Sequence, residues 1–311
     1  MDPTPVPPPP VIEHCYRHPA VETGVHCTRC GRPICTDCMY PAPVGHQCPE
    51  CVKEQKQEFH RPARQVGTGP PRGWSVTNVL IAILVVVTAI ETIRGGPNSL
   101  ILGPSSSQLV RLGADLGPCT AYQPWRLLTS MFLHAGLIHL ALNCYVLYIV
   151  GNVIEQELGW QRLLVIYFVS GLFASAMSFT FGQAVSLTGP LSPSVGASGA
   201  IFGLFGAFFA YNYRRRSLAF YAARTRSIGF LIVINLVLSF SLSSFIDWRA
   251  HVGGLVAGLV LGVTADTSRE GRSALLSFVG AAIVLLLVGT SFTVGHANQW
   301  QQVTALPRFC G

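Results

Sequence analysis

Three groups of polar residues interrupt long apolar stretches of this sequence. The first group is His134, His139 and Asn143, the second is Ser198, and the third is His251. Polar side chains inside membrane helices are costly and usually have a function, so each group is a candidate site. A serine hydroxyl becomes a nucleophile when a base accepts its proton, and histidine is a suitable base. The alternative interpretations are a serine that packs between helices and a histidine at the membrane interface.

Glycines accompany Ser198 and His251. Two of them flank Ser198, and two lie on one helix face beginning three residues after His251. Small residues on two helices let the backbones approach closely, which a hydrogen bond between serine and histidine requires. Glycines at this spacing also occur in ordinary helix packing, so the spacing alone is a weak signal. These glycines are Gly196, Gly199, Gly254 and Gly258.

A second chemistry is indicated near the N-terminus, where seven of the ten cysteines lie before residue 74. They belong to four pairs with two residues between the members, and four such pairs suit two tetrahedral Zn²⁺ sites. A disulfide framework is the alternative, but a cytoplasmic domain keeps its thiols reduced. The pairs are Cys15 with His18, Cys27 with Cys30, Cys35 with Cys38, and Cys48 with Cys51.

The elements that must position the serine and the histidines are membrane helices. Of the 311 residues, 50% are hydrophobic and only 11% are charged, whereas soluble domains carry about 25% charged residues. The mean hydropathy of +0.44 excludes most cytosolic enzymes. The net charge of +7 does not indicate nucleic-acid binding, because the basic residues cluster between apolar runs. Seven spans are predicted, at 76–93, 132–153, 161–182, 197–213, 228–246, 250–266 and 274–294.

The basic residues also predict an orientation. With the N-terminal domain in the cytoplasm, sixteen Lys and Arg residues lie inside and five lie outside, in agreement with the positive-inside rule. Spans two, four and six then run from outside to inside. The pair of His139 and Asn143, the serine Ser198 and the histidine His251 therefore lie at similar depth near the outer face.

Composition divides the chain into five segments. We predict a disordered proline-rich tail at 1–12, a zinc-binding domain at 13–52, a linker at 53–74, a membrane domain at 75–295 and an outer C-terminal tail at 296–311.

Together, the motifs of the apolar part resemble the rhomboid family of intramembrane serine proteases. The matching features are Trp125-Arg126, His134-x4-His139-x3-Asn143, Gly196-x-Ser198-Gly199 and His251-x2-Gly254-x3-Gly258. The resemblance implies an all-α polytopic membrane protein with a bundle of six plus one transmembrane helices. It makes Ser198 the nucleophile and His251 the general base.

The resemblance also implies supporting roles for residues around this pair. His139, Asn143 and the backbone N–H of Ser198 would stabilise the oxyanion. His134 would be a structural or hydrating residue near the site. Phe202 would stack on the ring of the base, where the family often has a tyrosine, so one hydrogen bond would be lost.

Four further residues are given structural roles. In the family pattern, Trp125 and Arg126 would brace the first outer loop. Glu155 would make a structural polar contact near the cytoplasmic end of span two. Asp247 lies four residues before the base and could orient it, but we favour an outer-loop acid near Arg249.

The cysteine-rich segment resembles a B-box-type zinc finger, which binds two metals in a crossed pattern. The resemblance assigns one zinc to Cys15, His18, Cys35 and Cys38, and the other to Cys27, Cys30, Cys48 and Cys51. His46 is an alternative ligand to Cys48, which we favour for its spacing to Cys51. His14 and His26 are expected to be bystanders. Both sites have closed ligand sets and are expected to be structural, because about forty residues build little core.

Three cysteines, Cys119, Cys144 and Cys310, belong to neither group. By the predicted topology Cys119 and Cys310 both face outside, which allows a disulfide between them. The sequence does not give their separation, so this pairing stays undecided here.

The functional expectation is an intramembrane serine endopeptidase that cleaves transmembrane protein substrates near the outer face with a serine–histidine dyad. Membrane lipid and a cytoplasmic protein partner of the zinc domain are further expected partners, and catalysis needs no cofactor. The location implied is the plasma membrane, in a bacterial cell. One alternative is a catalytically inactive rhomboid-like protein that binds membrane clients. Another is a transporter or channel, which the absence of visible internal repeats disfavours.

Overall fold

The computed structural model describes residues 13–42, 44–60, 75–95, 99, 103–182, 192–264, 270–303 and 310. The chain divides into two compact units, Met1–Gly67 and Thr68–Gly311. The predicted tail 1–12, most of the predicted linker 53–74, and residues 304–309 and 311 of the C-terminal tail lie outside the described residues.

The first unit is built from short elements. A 3₁₀ helix, Thr36–Cys38, precedes two antiparallel strands, β1 (Tyr40–Pro41) and β2 (His46–Gln47). Helix α1 (Pro49–His60) follows and extends into the predicted linker. The buried cluster of this unit consists of Ile34 and the cysteines Cys15, Cys27, Cys35, Cys38, Cys48 and Cys51. Cysteines therefore occupy the positions that aliphatic side chains fill in a larger domain.

Helices build the second unit. The first part contains α2 (Val76–Gly95), α3 (Ser106–Arg111), α4 (Gly117–Tyr122), α5 (Arg126–Thr129) and a 3₁₀ helix, Ser130–Phe132. The second part contains α6 (Leu137–Leu158), α7 (Trp160–Phe181), α8 (Ser198–Tyr213), α9 (Ala219–Ser241), α10 (Trp248–Thr264) and α11 (Glu270–Val303).

The all-α polytopic membrane fold is confirmed. Each predicted span overlaps one long helix in the described part of the chain. Five segments are long and apolar enough to cross a membrane, namely α2, α6, α7, α9 and residues Val279–Ala297 of α11. Helix α10 is apolar but has only 17 residues, and α8 has 16. Helix α8 contacts α6, α7, α9 and α10 and is buried along almost its whole length, so protein rather than lipid surrounds it.

Two predicted span boundaries were wrong. Helix α6 begins at Leu137, after Gly136 with a φ of 133°, so His134 precedes the helix instead of lying inside it. Helix α9 begins nine residues earlier than predicted, at Ala219 instead of 228. Its basic residues suggested a loop, but Arg224 pairs with Glu157, so its charge is compensated within the helical bundle.

The glycines of α10 bring its backbone against that of α8. A Cβ atom on Gly254 would overlap the carbonyl oxygen of Gly199, and one on Gly258 would overlap that of Gly203. Gly262 makes the same approach to Ala207 one turn further on. The two helices are therefore in backbone contact over three turns, and larger residues on α10 would separate them.

Glu155 connects the start of α2 to the end of α6. Its carboxylate accepts hydrogen bonds from the backbone N–H of Val76 at 2.8 Å and of Thr77 at 2.9 Å, and from the Thr77 hydroxyl at 2.7 Å. The first N–H groups of a helix have no partner within it, so this carboxylate caps α2. Its role in the fold is structural.

A buried arginine and a disulfide organise the segment before α6. The Arg126 guanidinium is buried and donates to the carbonyl oxygens of Val110, Ala114 and Cys310. A disulfide joins Cys310 to Cys119. Residues 119 and 310 therefore lie on the same side of a membrane, which requires an even number of crossings between them. Of the described helices between them, α6, α7, α9 and α11 have segments long and apolar enough to cross a membrane. Together with the shorter α8 and α10 they make six, so the number is even by either count.

Candidate active site

The serine and the third histidine meet at one end of the α8–α10 contact. Ser198 is the first residue of α8, and His251 lies in the first turn of α10. The distance from Ser198 Oγ to His251 Nε2 is 2.8 Å. Phe202 stacks on the His251 ring at 4.2 Å between centroids, with 19° between the planes. The pair thus has the geometry in which histidine can accept the serine proton.

Gly196 lies close to His139 and Asn143 next to the serine, and the place where these three residues meet is called the recess below. Its φ of 120° is a conformation that residues with a side chain rarely adopt. A Cβ atom here would lie 2.8 Å from His139 Nε2 and 3.6 Å from Asn143 Nδ2. These two nitrogen atoms therefore converge on the backbone two residues before Ser198. The buried Asn143 Nδ2 has no hydrogen-bond partner among the described residues, so it is available to a substrate oxygen.

The local hydrogen bonds indicate which nitrogen of His139 carries a proton. The backbone N–H of Ala135 donates to His139 Nδ1 at 3.5 Å. A neutral imidazole whose Nδ1 accepts a hydrogen bond carries its proton on Nε2. Nε2 is the atom that faces Gly196, so His139 presents a donor to the recess.

His134 lies behind this recess and is completely buried. Its ring makes an edge contact with that of His139, with 5.1 Å between centroids. Its Nδ1 lies 3.1 Å from the Phe132 carbonyl oxygen, and its backbone N–H donates to the Glu91 carboxylate at 3.1 Å. Glu91, a buried acid on α2, was missed from the sequence because a single acid in an apolar helix does not reveal its partner.

Asp247 caps α10, which neither sequence interpretation foresaw. Its Oδ1 accepts hydrogen bonds from the backbone N–H of Arg249 at 3.1 Å and of Ala250 at 3.3 Å. Its Oδ2 accepts from the hydroxyls of Ser178 and Ser194. The structure shows no hydrogen bond between this carboxylate and the described ring of His251. Asp247 therefore fixes the first turn of the helix that carries His251.

Asp115 lies in the segment that pairs with the chain just before the serine. Its backbone forms an antiparallel bridge with Ser194, and its carboxylate accepts from the Thr120 hydroxyl at 2.6 Å. Burial raises the pKa of Asp115 to about 7, against the hydrogen bond from Thr120 and with a smaller contribution from the charge of Asp247. This carboxyl group is therefore partly protonated near neutral pH.

Ser239 was also missed from the sequence. This residue of α9 is buried, and its Oγ lies 2.7 Å from His251 Nδ1. Twelve residues separate Ser239 from His251, with a turn between their helices, so no periodic spacing signals the contact.

The first unit contains two groups of candidate metal ligands. Cys15, His18, Cys35 and Cys38 form one group, and Cys27, Cys30, Cys48 and Cys51 form the other, with the ligand atoms of each group within 4.8 Å of one another. His46, His14 and His26 belong to neither group. His14 bridges to Glu22 through its backbone.

Tetrahedral geometry fits the separations within these groups. Two sulfur atoms bound to one Zn²⁺ at about 2.3 Å lie about 3.8 Å apart. Cys30 Sγ and Cys48 Sγ are 3.7 Å apart, and His18 Nδ1 is 3.2 Å from Cys35 Sγ and 3.5 Å from Cys38 Sγ. The thiol and imidazole donors are those that zinc prefers.

Comparison with known proteins supports the rhomboid family. The family model described as "Rhomboid domain" matches residues 121–266, which include Ser198, His251 and Asn143. The chain is 37% identical over 184 residues to "RHOMBOID-like protein 6, mitochondrial" of Arabidopsis thaliana, covering 58% of this chain and 56% of that protein. It is 30% identical over 252 residues to "Rhomboid protease GluP" of Bacillus subtilis (strain 168), covering 81% of this chain and 46% of that protein.

A third relative is "Rhomboid-like protease 2" of Toxoplasma gondii, which is 31% identical over 198 residues, covering 62% of this chain and 66% of that protein. The chain spans about half the length of the first two relatives. The relatives come from a plant, a bacterium and a parasite, so they do not single out a bacterial source.

Proposed function

We propose that this protein is an intramembrane serine endopeptidase that cleaves transmembrane protein substrates near the outer membrane face. The observation that carries this proposal is the 2.8 Å contact between Ser198 Oγ and His251 Nε2. The rhomboid match supports the same class of activity.

In the proposed reaction, Ser198 Oγ attacks a substrate peptide carbonyl while His251 Nε2 accepts the hydroxyl proton. The tetrahedral oxyanion receives hydrogen bonds from His139 Nε2, Asn143 Nδ2 and the Ser198 backbone N–H. His251 then protonates the leaving amine, and the C–N bond breaks to give an acyl-enzyme. Water attacks the ester with the same base and releases the second product.

The test is labelling by a fluorophosphonate probe together with cleavage of a transmembrane model substrate. Ser198→Ala and His251→Ala should each abolish cleavage, and the double variant should lose no more, since nucleophile and base act as one unit. The exposed Ser241→Ala is the matched control and should retain wild-type activity. Cleavage by Ser198→Ala at the wild-type rate would contradict the dyad. A folded wild-type protein that neither reacts with the probe nor cleaves would favour the inactive client-binding alternative.

We further propose that the first unit binds two structural Zn²⁺ ions through the two groups of four ligands. The zinc ions would crosslink segments that have little aliphatic core of their own. Each group has four donors, which leaves no ligand position for water, so the sites suit structure and not catalysis. A protein partner in the cytoplasm is the proposed target of this unit.

The proposed location of the protein is the plasma membrane. In the proposed orientation the zinc-binding unit lies in the cytoplasm. The asymmetry of sixteen basic residues inside and five outside supports it. The disulfide between Cys119 and Cys310 also suits an oxidising compartment on the opposite side. Labelling of single cysteines with an impermeant reagent tests the orientation, and labelling of residue 220 from outside intact cells would refute it.

A further inference from the structure

The base has a second hydrogen-bond contact, on the side of its ring away from the nucleophile. The contact comes from Ser239, two residues before the end of α9. Ser239 Oγ lies 2.7 Å from His251 Nδ1. Ser239 is 1% exposed and His251 is 7% exposed, so bulk water does not compete strongly for this nitrogen.

The direction of this hydrogen bond follows from counting protons. A serine hydroxyl has one proton to donate and two lone pairs to accept with. Ser239 Oγ donates that proton to the backbone carbonyl oxygen of Asn235 at 2.6 Å, and a carbonyl oxygen can only accept. The hydroxyl therefore meets His251 Nδ1 as an acceptor, and Nδ1 carries the proton of the neutral ring.

This assignment leaves the opposite nitrogen of the ring with its lone pair free. With the proton on Nδ1, His251 Nε2 faces Ser198 Oγ as an acceptor, which is the state a general base needs. With the proton on Nε2 instead, the ring could only donate to the nucleophile. The bond between Ser239 and Asn235 disfavours that second tautomer, because Ser239 would have to give it up to donate to Nδ1.

We propose that Ser239 is a positioning residue that holds His251 in the tautomer and orientation required of the base. The inference rests on the proposed function. It differs from a carboxylate–histidine arrangement because the described acid nearest in sequence, Asp247, caps α10 and makes no hydrogen bond to the ring. The relay then draws on three helices, with the nucleophile on α8, the base on α10 and its orienting hydroxyl on α9.

The first test compares Ser239→Ala, Ser239→Thr and the exposed Ser241→Ala in the full-length protein. Loss of one neutral hydrogen bond, with a buried N–H left without a partner, predicts a fall in kcat of about 10-fold in Ser239→Ala. KM should stay near the wild-type value because Ser239 does not face the nucleophile. Ser239→Thr restores the hydroxyl and should recover most of kcat, and Ser241→Ala should match the wild type. Wild-type kcat in a folded Ser239→Ala protein would overturn the proposal.

A double-mutant cycle separates positioning from a general effect on folding. The residual rate of fluorophosphonate labelling in His251→Ala should not fall further when Ser239→Ala is added, because Ser239 acts only through His251. An equal loss from Ser239→Ala with and without the histidine would refute action through His251.

A third measurement distinguishes failure of this inference from failure of the proposed protease activity. In protein labelled with ¹⁵N-histidine, the signals of His251 are identified by their loss in His251→Ala. The ring should be in the Nδ1-protonated tautomer in the wild type and lose that preference in Ser239→Ala, whether or not the protein cleaves a substrate. An Nε2-protonated ring in the wild type would refute the role of Ser239 even in an active enzyme.

Discussion

The cysteine-rich unit and the membrane unit achieve internal order by different interactions. In the first unit the buried side chains are mainly cysteines, and Ile34 is the aliphatic member of the described buried cluster. In the second unit, aliphatic and aromatic residues of seven long helices form the main core, and glycines bring α8 and α10 into backbone contact. The folded state of the first unit is thus expected to depend on metal binding by its cysteines, whereas that of the second unit depends on the packing of apolar side chains.

The arrangement and the partners of buried polar atoms also differ between the two units. In the first unit the polar atoms converge on a common point in each of two groups. In the second unit they are distributed, and backbone atoms satisfy many of them, as for Arg126 and Glu155. Asn143 Nδ2, without a partner among the described residues, is an exception at the recess. Other buried side-chain atoms of this unit also have no partner among the described residues, but Asn143 Nδ2 is the one that faces Gly196 beside Ser198.

Removal of zinc should give the largest difference between the units. The purified protein should contain about two Zn²⁺ per chain, and Cys27→Ala should unfold the first unit while the membrane helices persist. Elemental analysis and circular dichroism measure the two outcomes. His46→Ala is the matched control and should keep both ions, because His46 lies outside both ligand groups. One zinc or none in the wild type would contradict the two-site assignment.

The same separation can be tested through activity. If the chemistry belongs to the membrane unit alone, deletion of residues 1–70 should leave some proteolysis in detergent. A metal chelator should not stop cleavage by this shortened protein. Inhibition by the chelator would mean that a metal ion and not the serine is the catalyst.

Loss of an oxyanion donor should have a smaller effect than loss of the dyad. Asn143→Ala should lower kcat by about 10²–10³-fold, with the protein still folded, since one donor to the transition state is removed. His139→Ala should behave similarly. Asn152→Ala is the matched control on α6, because its amide donates to the Tyr148 carbonyl oxygen away from the recess. A wild-type kcat in Asn143→Ala would show that this amide does not bind the oxyanion.

The smallest expected effect is a pH dependence of stability that has opposite signs in the two units. Because burial raises the pKa of Asp115 to about 7, the folded state binds more protons than the unfolded state between about pH 4 and 7. The contribution of Asp115 to stability is therefore present at low pH and is lost as the pH rises through this window. In the zinc-binding unit, by contrast, acid protonates the ligands and releases metal.

Thermal unfolding of the membrane unit at several pH values measures this contribution. The melting temperature of Asp115→Asn should depend less steeply on pH between about 4 and 7 than that of the wild type. Glu22→Gln, at an exposed position in the first unit, serves as the control and should leave the slope for the membrane unit unchanged. An identical slope in Asp115→Asn and the wild type would show that Asp115 does not titrate in this range.

The sequence by itself determined the helical membrane architecture, the four cysteine and histidine pairs, and the glycines that accompany Ser198 and His251. These features depend on local patterns, since an apolar run long enough to cross a bilayer and a fixed spacing of ligands or glycines are visible without any fold. The predicted starts of α6 and α9 were wrong. Gly136, which has a positive φ, precedes α6, and Arg224 of α9 pairs with Glu157, and the spacing of apolar residues reveals neither feature.

The tertiary structure alone decided which distant groups meet. It brings Ser239 to His251, Glu91 to the backbone of His134, and Cys310 to Cys119. Each of these contacts joins separate elements, so its existence depends on how the helices pack and not on sequence spacing. The sequence around a serine in an apolar helix does not show whether its side chain faces lipid, a neighbouring carbonyl or a histidine ring. Only the packing of α9 beside α10 places this one within hydrogen-bond distance of the imidazole.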